Sequence, residues 1–228
     1  FALTHTYERV EVPTTEQADA FLPPYATANC FDFDNPVNMA FSAGPAYNRY
    51  FKYREHVDME MAFPVIDAVE QRFAEIFGRR YTGAIEAINC ENADYILVTL
   101  GTIAGLAEEV AAQLREEGVR VGVLRIRYMR PFPFDQIVDA LKGAQAVGVL
   151  EKDVSFGAEG TVFTNVNSAL HRAGCTVPTR NFVGGLGGDD ISEAQMHRIF
   201  ASLQDVASGA QIPQVAFLGV EDEEGGLR

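Results

Sequence analysis

From residue 94 onward, short apolar runs alternate with stretches of helical periodicity, and this alternation restricts the fold more than any other feature. "DYILVTLG" is a continuous apolar run, as expected for a strand buried on both faces. Thr102 is placed to cap the helix that follows. Ile103, Leu106, Ala107, Val110, Ala111 and Leu114 recur at helical spacing, and Gly118 ends the pattern. The unit then repeats. "VRVGVLRIR", "AVGVLEK" and "TVPTRNFV" read as strands, and "FDQIVDALKGA" and "GTVFTNVNSALHRAG" as helices. A last helix opens at Ser192, with Gln195 positioned to complete a capping box. Alternation with short connections predicts an α/β fold: a parallel sheet with helices on both faces.

Residues 1–53 read differently. Pro23, Pro24, Pro36 and Pro45 interrupt any long element, which predicts an extended, irregular segment. Phe21, Tyr25, Phe31, Phe33, Phe41, Tyr47, Tyr50 and Phe51 make it too apolar for a solvated linker. The expectation is a ribbon lying across its own domain or a partner. A helix follows, with Ile66, Val69, Phe73, Ile76 and Phe77 on one face, Pro64 starting or kinking it, and Gly78 stopping it. Met59 and Met61 fit core or interface filler. The resulting division is 1–53 extended segment, 54–90 connecting helix and linker, 91–205 α/β domain and 206–228 a C-terminal tail, whose end "GVEDEEGGLR" is acidic and expected to fray.

Composition narrows the function. With 32 acidic against 18 basic residues the formal charge is −14, and no basic stripe is present, which opposes nucleic-acid binding. No apolar stretch has the length of a membrane span, and none resembles a signal peptide. Cys30, Cys90 and Cys175 are far apart with no C-x-x-C, and His5, His56, His171 and His197 are equally scattered. Disulfide frameworks, zinc ribbons and cysteine-held clusters are therefore not expected within the chain, and a cytoplasmic protein is.

In a parallel sheet, ligands gather at the carboxyl ends of the strands. The loops there are "GTIAG", "RYMRPFP", "KDVSFGAEG" and "GGLGGDD". The last is glycine-rich ahead of a helix, but Asp189 and Asp190 would repel a phosphate, and neither a Walker nor a dinucleotide motif is present. Glu151, Asp153 and Glu159 are candidates for acid–base work, without a histidine or cysteine nearby in sequence. Ser155 lacks the turn that exposes a nucleophile. The alternative is structural: Asp153 and Ser155 cap the next helix, while Gly157 and Gly160 permit close packing. Arg125, Arg127 and Arg130 suit a carboxylate substrate or acids of a neighbouring chain. Phe132, held by Pro131 and Pro133, is shaped for burial.

A family resemblance rests on these residues. "LVTLGTIAGLAEEV", "VGVLRIRYMRPFP", "VGVLEKDVSFGAEG" and "NFVGGLGGDD" resemble the carboxyl-terminal half of the α subunit of pyruvate:ferredoxin oxidoreductase. "FALTHTYERVEVP" and "FLPPY" are similar to the stretch joining that subunit's first domain to its second. The resemblance implies a fold like the carboxyl-terminal domain of transketolases. It implies a thiamine-diphosphate-dependent enzyme that decarboxylates pyruvate or another 2-oxoacid to an acyl-CoA and reduces ferredoxin through iron–sulfur clusters. The first domain would precede Phe1. Thiamine diphosphate, magnesium and the clusters would belong to the complete enzyme, with none bound by this chain alone and no catalytic residue carried by it. Partners would be the β-, γ- and δ-type subunits, with ferredoxin and coenzyme A acting on the complex, and neither nucleic acid nor membrane. The "GLGG" turn favours the pyruvate type over the 2-oxoglutarate type. Arg127, Arg130, Phe132, Asp153, Ser155, Phe156, Gly157, Glu159, Gly185 and Gly187 would form an assembly edge. The competing readings are a free-standing nucleotide- or metabolite-binding module and a pure interaction domain.

Overall fold

The computed structural model describes residues 9–220 apart from 28 and 82. The joining stretch that opens at Phe1 and the acidic end of the tail thus fall partly outside the described residues. The chain divides into two compact units between Gly83 and Ala84.

The second unit is built on a six-stranded sheet of order β1-β3-β2-β4-β5-β6. The strands are β1 (Ile85–Ile88), β2 (Tyr95–Leu100), β3 (Val121–Ile126), β4 (Ala146–Glu151), β5 (Thr179–Val183) and β6 (Val215–Phe217). All neighbours run parallel except β1, which is antiparallel to β3 at one edge. The short outer strands β1 and β6 were not legible in the sequence. Both are too short for a periodic signal, and β6 stands in the stretch 206–228 set apart as a tail. Helices α4 (Ile103–Glu116), α5 (Phe134–Leu141), α6 (Thr161–Arg172) and α7 (Glu193–Ser208) cover the sheet.

Two separate cores show that both faces are covered. Val110 and Ala111 of α4 join Met196, Ile199, Phe200 and Leu203 of α7 over Leu97, Leu150 and Phe182. Ile137 and Leu141 of α5 join Val166 and Leu170 of α6 over Ile96, Val98, Val147 and Val149. The two-residue period of a strand assigns the faces: in β4, Val147 and Val149 point toward α6, and Leu150 points toward α7. Gly148 lets α7 lie close, because a Cβ there would meet Phe182, Leu203 and Leu97 at 3.0–3.2 Å. Helix α7 starts as its sequence predicts, with the reciprocal Ser192–Gln195 capping box. Thr102 precedes α4 but makes no side-chain cap.

The first unit contains α1 (Thr15–Phe21), α2 (Pro45–Glu60) and α3 (Ala62–Phe77). The helices α1 and α2 correct the reading of residues 15–21 and 45–53 as extended. Pro45 sits at the first helical position, where its missing N–H has no partner to lose. Phe21 packs edge-on against Phe73 and Phe77 of α3 at about 5.5 Å, and Gly78 ends α3 in the left-handed conformation. No residue of α2 is buried.

Candidate functional site

Strands β2 and β4 are sheet neighbours whose connections leave in opposite directions, β2 to β3 and β4 to β5. A crevice at their carboxyl ends is where an open α/β sheet ordinarily holds a ligand. A cavity of about 340 Å³ lies there, lined by Leu100, Gly101, Thr102, Ile103 and Glu151 to Asp153.

Its floor is held by a buried carboxylate. Glu151 ends β4 on the α6 side, two residues beyond Val149, and is 2% exposed. Its Oε2 accepts the Val162 N–H at 2.7 Å, and its Oε1 accepts the Phe163 N–H at 3.0 Å. Asn181 Nδ2 also donates to Oε1 at 3.0 Å, while Asn181 Oδ1 accepts the Gly160 N–H at 2.8 Å. Asp153 accepts from the Thr161 N–H and hydroxyl. The first turn of α6 is therefore saturated by acids of its own chain. Burial pushes the Glu151 carboxyl above its usual range, and the three donors pull it back. Asp153, exposed and hydrogen-bonded to Thr161, is held below its usual value. A Cβ on Gly160 would collide with the Glu151 carboxylate.

This geometry decides between the two readings of the loop. The capping role expected of Asp153 is present, but the principal cap is Glu151. Ser155 caps nothing with its side chain. Its N–H donates to Glu159 at 3.2 Å and its carbonyl accepts from Ala158 at 2.8 Å, closing a tight loop in which Gly157 is left-handed. At the tip, Phe156 is 97% exposed. On the neighbouring strand, Gly184 N–H donates to the Glu151 carbonyl at 3.1 Å. A Cβ at Gly185 would press on Lys152 at 2.8 Å. Gly187 lies at the exposed turn beyond. The glycines do not lead directly into α7, whose start Ser192 already fills.

The structure therefore gathers Asp153, Ser155, Glu159 and Gly185 about the β4 end. Arg127, Arg130 and Phe132 follow β3, on the other side of β2. Phe132 is buried in the α5–α6 core, with the Arg130 guanidinium 6.0 Å from its ring, and Arg127 lies over Tyr128. Arg125 pairs within its own chain, with Glu86 at 3.6 Å and Glu108 at 3.9 Å. Burial raises the Glu108 carboxyl, and Glu86 raises it further.

Sequence reasoning left Asn181 and Lys152 out and considered Glu151 only as an acid–base group. One local signal was available: α6 begins after Gly160, which has no side chain to cap it, so the cap had to come from elsewhere.

A diphosphate does not fit this crevice, because Glu151 and Asp153 already occupy the α6 N–H groups and add negative charge. Among the described residues no three His, Cys, Asp or Glu side chains come together to hold a metal. The Cys90 thiol donates to Val123 O at 3.3 Å and is pushed up to about 11 by burial. No helix among the described residues is long and apolar enough to cross a membrane.

Residues 93–196, spanning the strands and loops of this crevice, match the family model for pyruvate:ferredoxin oxidoreductase core domain II. The match takes in most of the second unit. Similarity extends beyond it. The pyruvate synthase subunit PorA of Methanothermobacter thermautotrophicus is 33% identical over 98% of this chain and 56% of its own length. The ketoisovalerate oxidoreductase subunit VorA of Pyrococcus horikoshii is 33% identical over 93% of this chain and 54% of its own. The chain thus spans little more than half the length of these curated relatives. A solved 2-oxoglutarate:ferredoxin oxidoreductase from Magnetococcus marinus aligns at TM-score 0.43 and 17% identity, covering 73% of this chain and 24% of that one. So loose a likeness carries no argument about the site.

Proposed function

We propose that this core domain II and the segment before it are a supporting part of the α subunit of a cytoplasmic, thiamine-diphosphate-dependent 2-oxoacid:ferredoxin oxidoreductase. The complete enzyme decarboxylates pyruvate oxidatively to acetyl-CoA and reduces ferredoxin. Thiamine diphosphate, magnesium and iron–sulfur clusters are held by other domains and by β-, γ- and δ-type subunits. This chain contributes packing and assembly, with 1–53 as the joining segment and 91–205 as the greater part of an α/β body that also takes in β1 and β6.

The observation that carries the supporting role is Glu151. The α6 end of the crevice is already taken by the chain's own carboxylates, and the same contacts brace the 152–160 loop. A braced loop with an exposed aromatic tip suits docking, since little freedom is lost on binding. The other members of the assembly edge, Arg127, Arg130, Gly185 and Gly187, lie on loops at the same end of the sheet.

The test is made in the assembled enzyme, followed by CoA-dependent reduction of an electron acceptor by pyruvate. Thr102→Ala and Lys152→Ala, which alter the cavity wall, should leave kcat and KM within a few-fold. Phe156→Ser should lower the yield of assembled complex. A large loss of kcat in the cavity variants with assembly intact would contradict the supporting role. One observation favours a second reading: about 340 Å³ is the size of a small-ligand cavity. A metabolite module predicts that a small anion raises the thermal midpoint in proportion to the logarithm of its concentration, and that Lys152→Ala abolishes the rise.

A further inference from the structure

The first unit leaves an unusual amount of aromatic surface uncovered. Tyr25 is 93% exposed and Phe33 88%, and Phe31, Phe41, Tyr50 and Phe51 are also open to solvent. Together these rings present on the order of 1,000 Å², more than the ~800 Å² that each partner contributes to a standard interface. The surface is ordered rather than collapsed. Phe31 and Phe33 meet edge to face at 5.0 Å, and Phe41 and Phe51 at 6.1 Å. A 16-residue helix with no buried residue has little tertiary support of its own.

The charge pattern bears on the occupant. Residues 25–51 carry Asp32 and Asp34 against one cation, Arg49, which lies on α2 and not in the ribbon around the acids. Asp32, between Phe31 and Phe33 in sequence, accepts from the Asp34 N–H at 2.9 Å and from Asn35 Nδ2 at 3.1 Å. A second copy would bring the same acids, and another −14 of charge, to the contact. An arginine satisfies both features at once, because its guanidinium pairs with a carboxylate and lies on an aromatic face.

We infer that the aromatic strap over residues 25–51 docks into a cleft on a different polypeptide of the same enzyme, apolar at its centre and carrying arginine or lysine opposite Asp32. The inference rests on the reading of this chain as part of an oxidoreductase subunit.

The test co-expresses the full parent subunit with the remaining subunits of its enzyme and measures association by sedimentation. The double variant Phe33→Ser/Phe51→Ser should weaken association about tenfold or more, with the far-UV spectrum and thermal midpoint of the parent subunit unchanged. Raising the salt from low to high should weaken the wild-type complex several-fold, and Asp32→Lys should remove most of that dependence. Full association of the double variant overturns the strap while leaving the subunit reading intact. No association even of the wild type overturns the subunit reading. A homodimer of the parent subunit that Phe33→Ser/Phe51→Ser dissociates identifies a second copy as the occupant. Strap amides already protected in the lone parent subunit identify its own chain. Either result overturns the inference.

Discussion

Phe182 and Phe51 are the same residue type in opposite settings. Phe182 lies on β5 with no exposed surface, enclosed by the α4–α7 core. Phe51 lies on α2 and is 42% exposed, with the rings of Phe41, Tyr47 and Tyr50 beside it. In the α/β unit each strand alternates between two helix layers, so burial is complete within the chain. The first unit has three helices and a proline-interrupted ribbon, with no second layer over α2. One unit is stabilised by its own sequence, and the other keeps apolar surface for something else.

The sharpest way to break this contrast is to truncate both rings. Phe182→Ala should lower the unfolding free energy of the chain by about 3–5 kcal/mol, whereas Phe51→Ala should change it by less than about 0.5 kcal/mol. Denaturant midpoints at constant m-value would check both. Comparable losses would show that the first unit has a core of its own. Next in size is Gly160→Ala, which forces the Glu151 carboxylate off its donors and should cost about 3 kcal/mol, read from the same titration.

Glu151→Gln sharpens the comparison through pH. The folded carboxyl titrates above 4.5, its value when unperturbed. Between 4.5 and the raised value, the folded chain holds a proton that the unfolded chain has released. Glu151 therefore makes stability fall as pH rises through that window. Glu151→Gln should flatten the slope there while costing about 1–3 kcal/mol for the lost acceptor. A wild-type profile unchanged by the substitution would remove Glu151 from the account. Smaller than these losses is that of Ser192→Ala, which should cost about 1 kcal/mol with the α7 cap.

The α/β body was largely legible because its signals are local. Residues 95–100 are apolar without a break, α4 keeps its stripe, and Ser192 and Gln195 announce α7. What escaped depends on distance in the chain. The Glu151 clamp joins residues 151, 160, 162, 163 and 181, and no window of sequence contains that set. Helix α2 escaped for another reason. Tyr47, Tyr50 and Phe51 share one side, but Arg54 and Asp58 fall on that same side, so the apolar stripe is broken, and Pro45 reads as a breaker although it begins the helix.

Hydrogen exchange on the parent subunit, alone and bound to the other subunits of its enzyme, tests the central contrast most directly. The account predicts that amides over residues 25–60 exchange quickly in the free subunit and become protected in the complex, while those of β2, β4 and β5 are protected in both. Protection of residues 25–60 in the free subunit, or no gain on assembly, would contradict it.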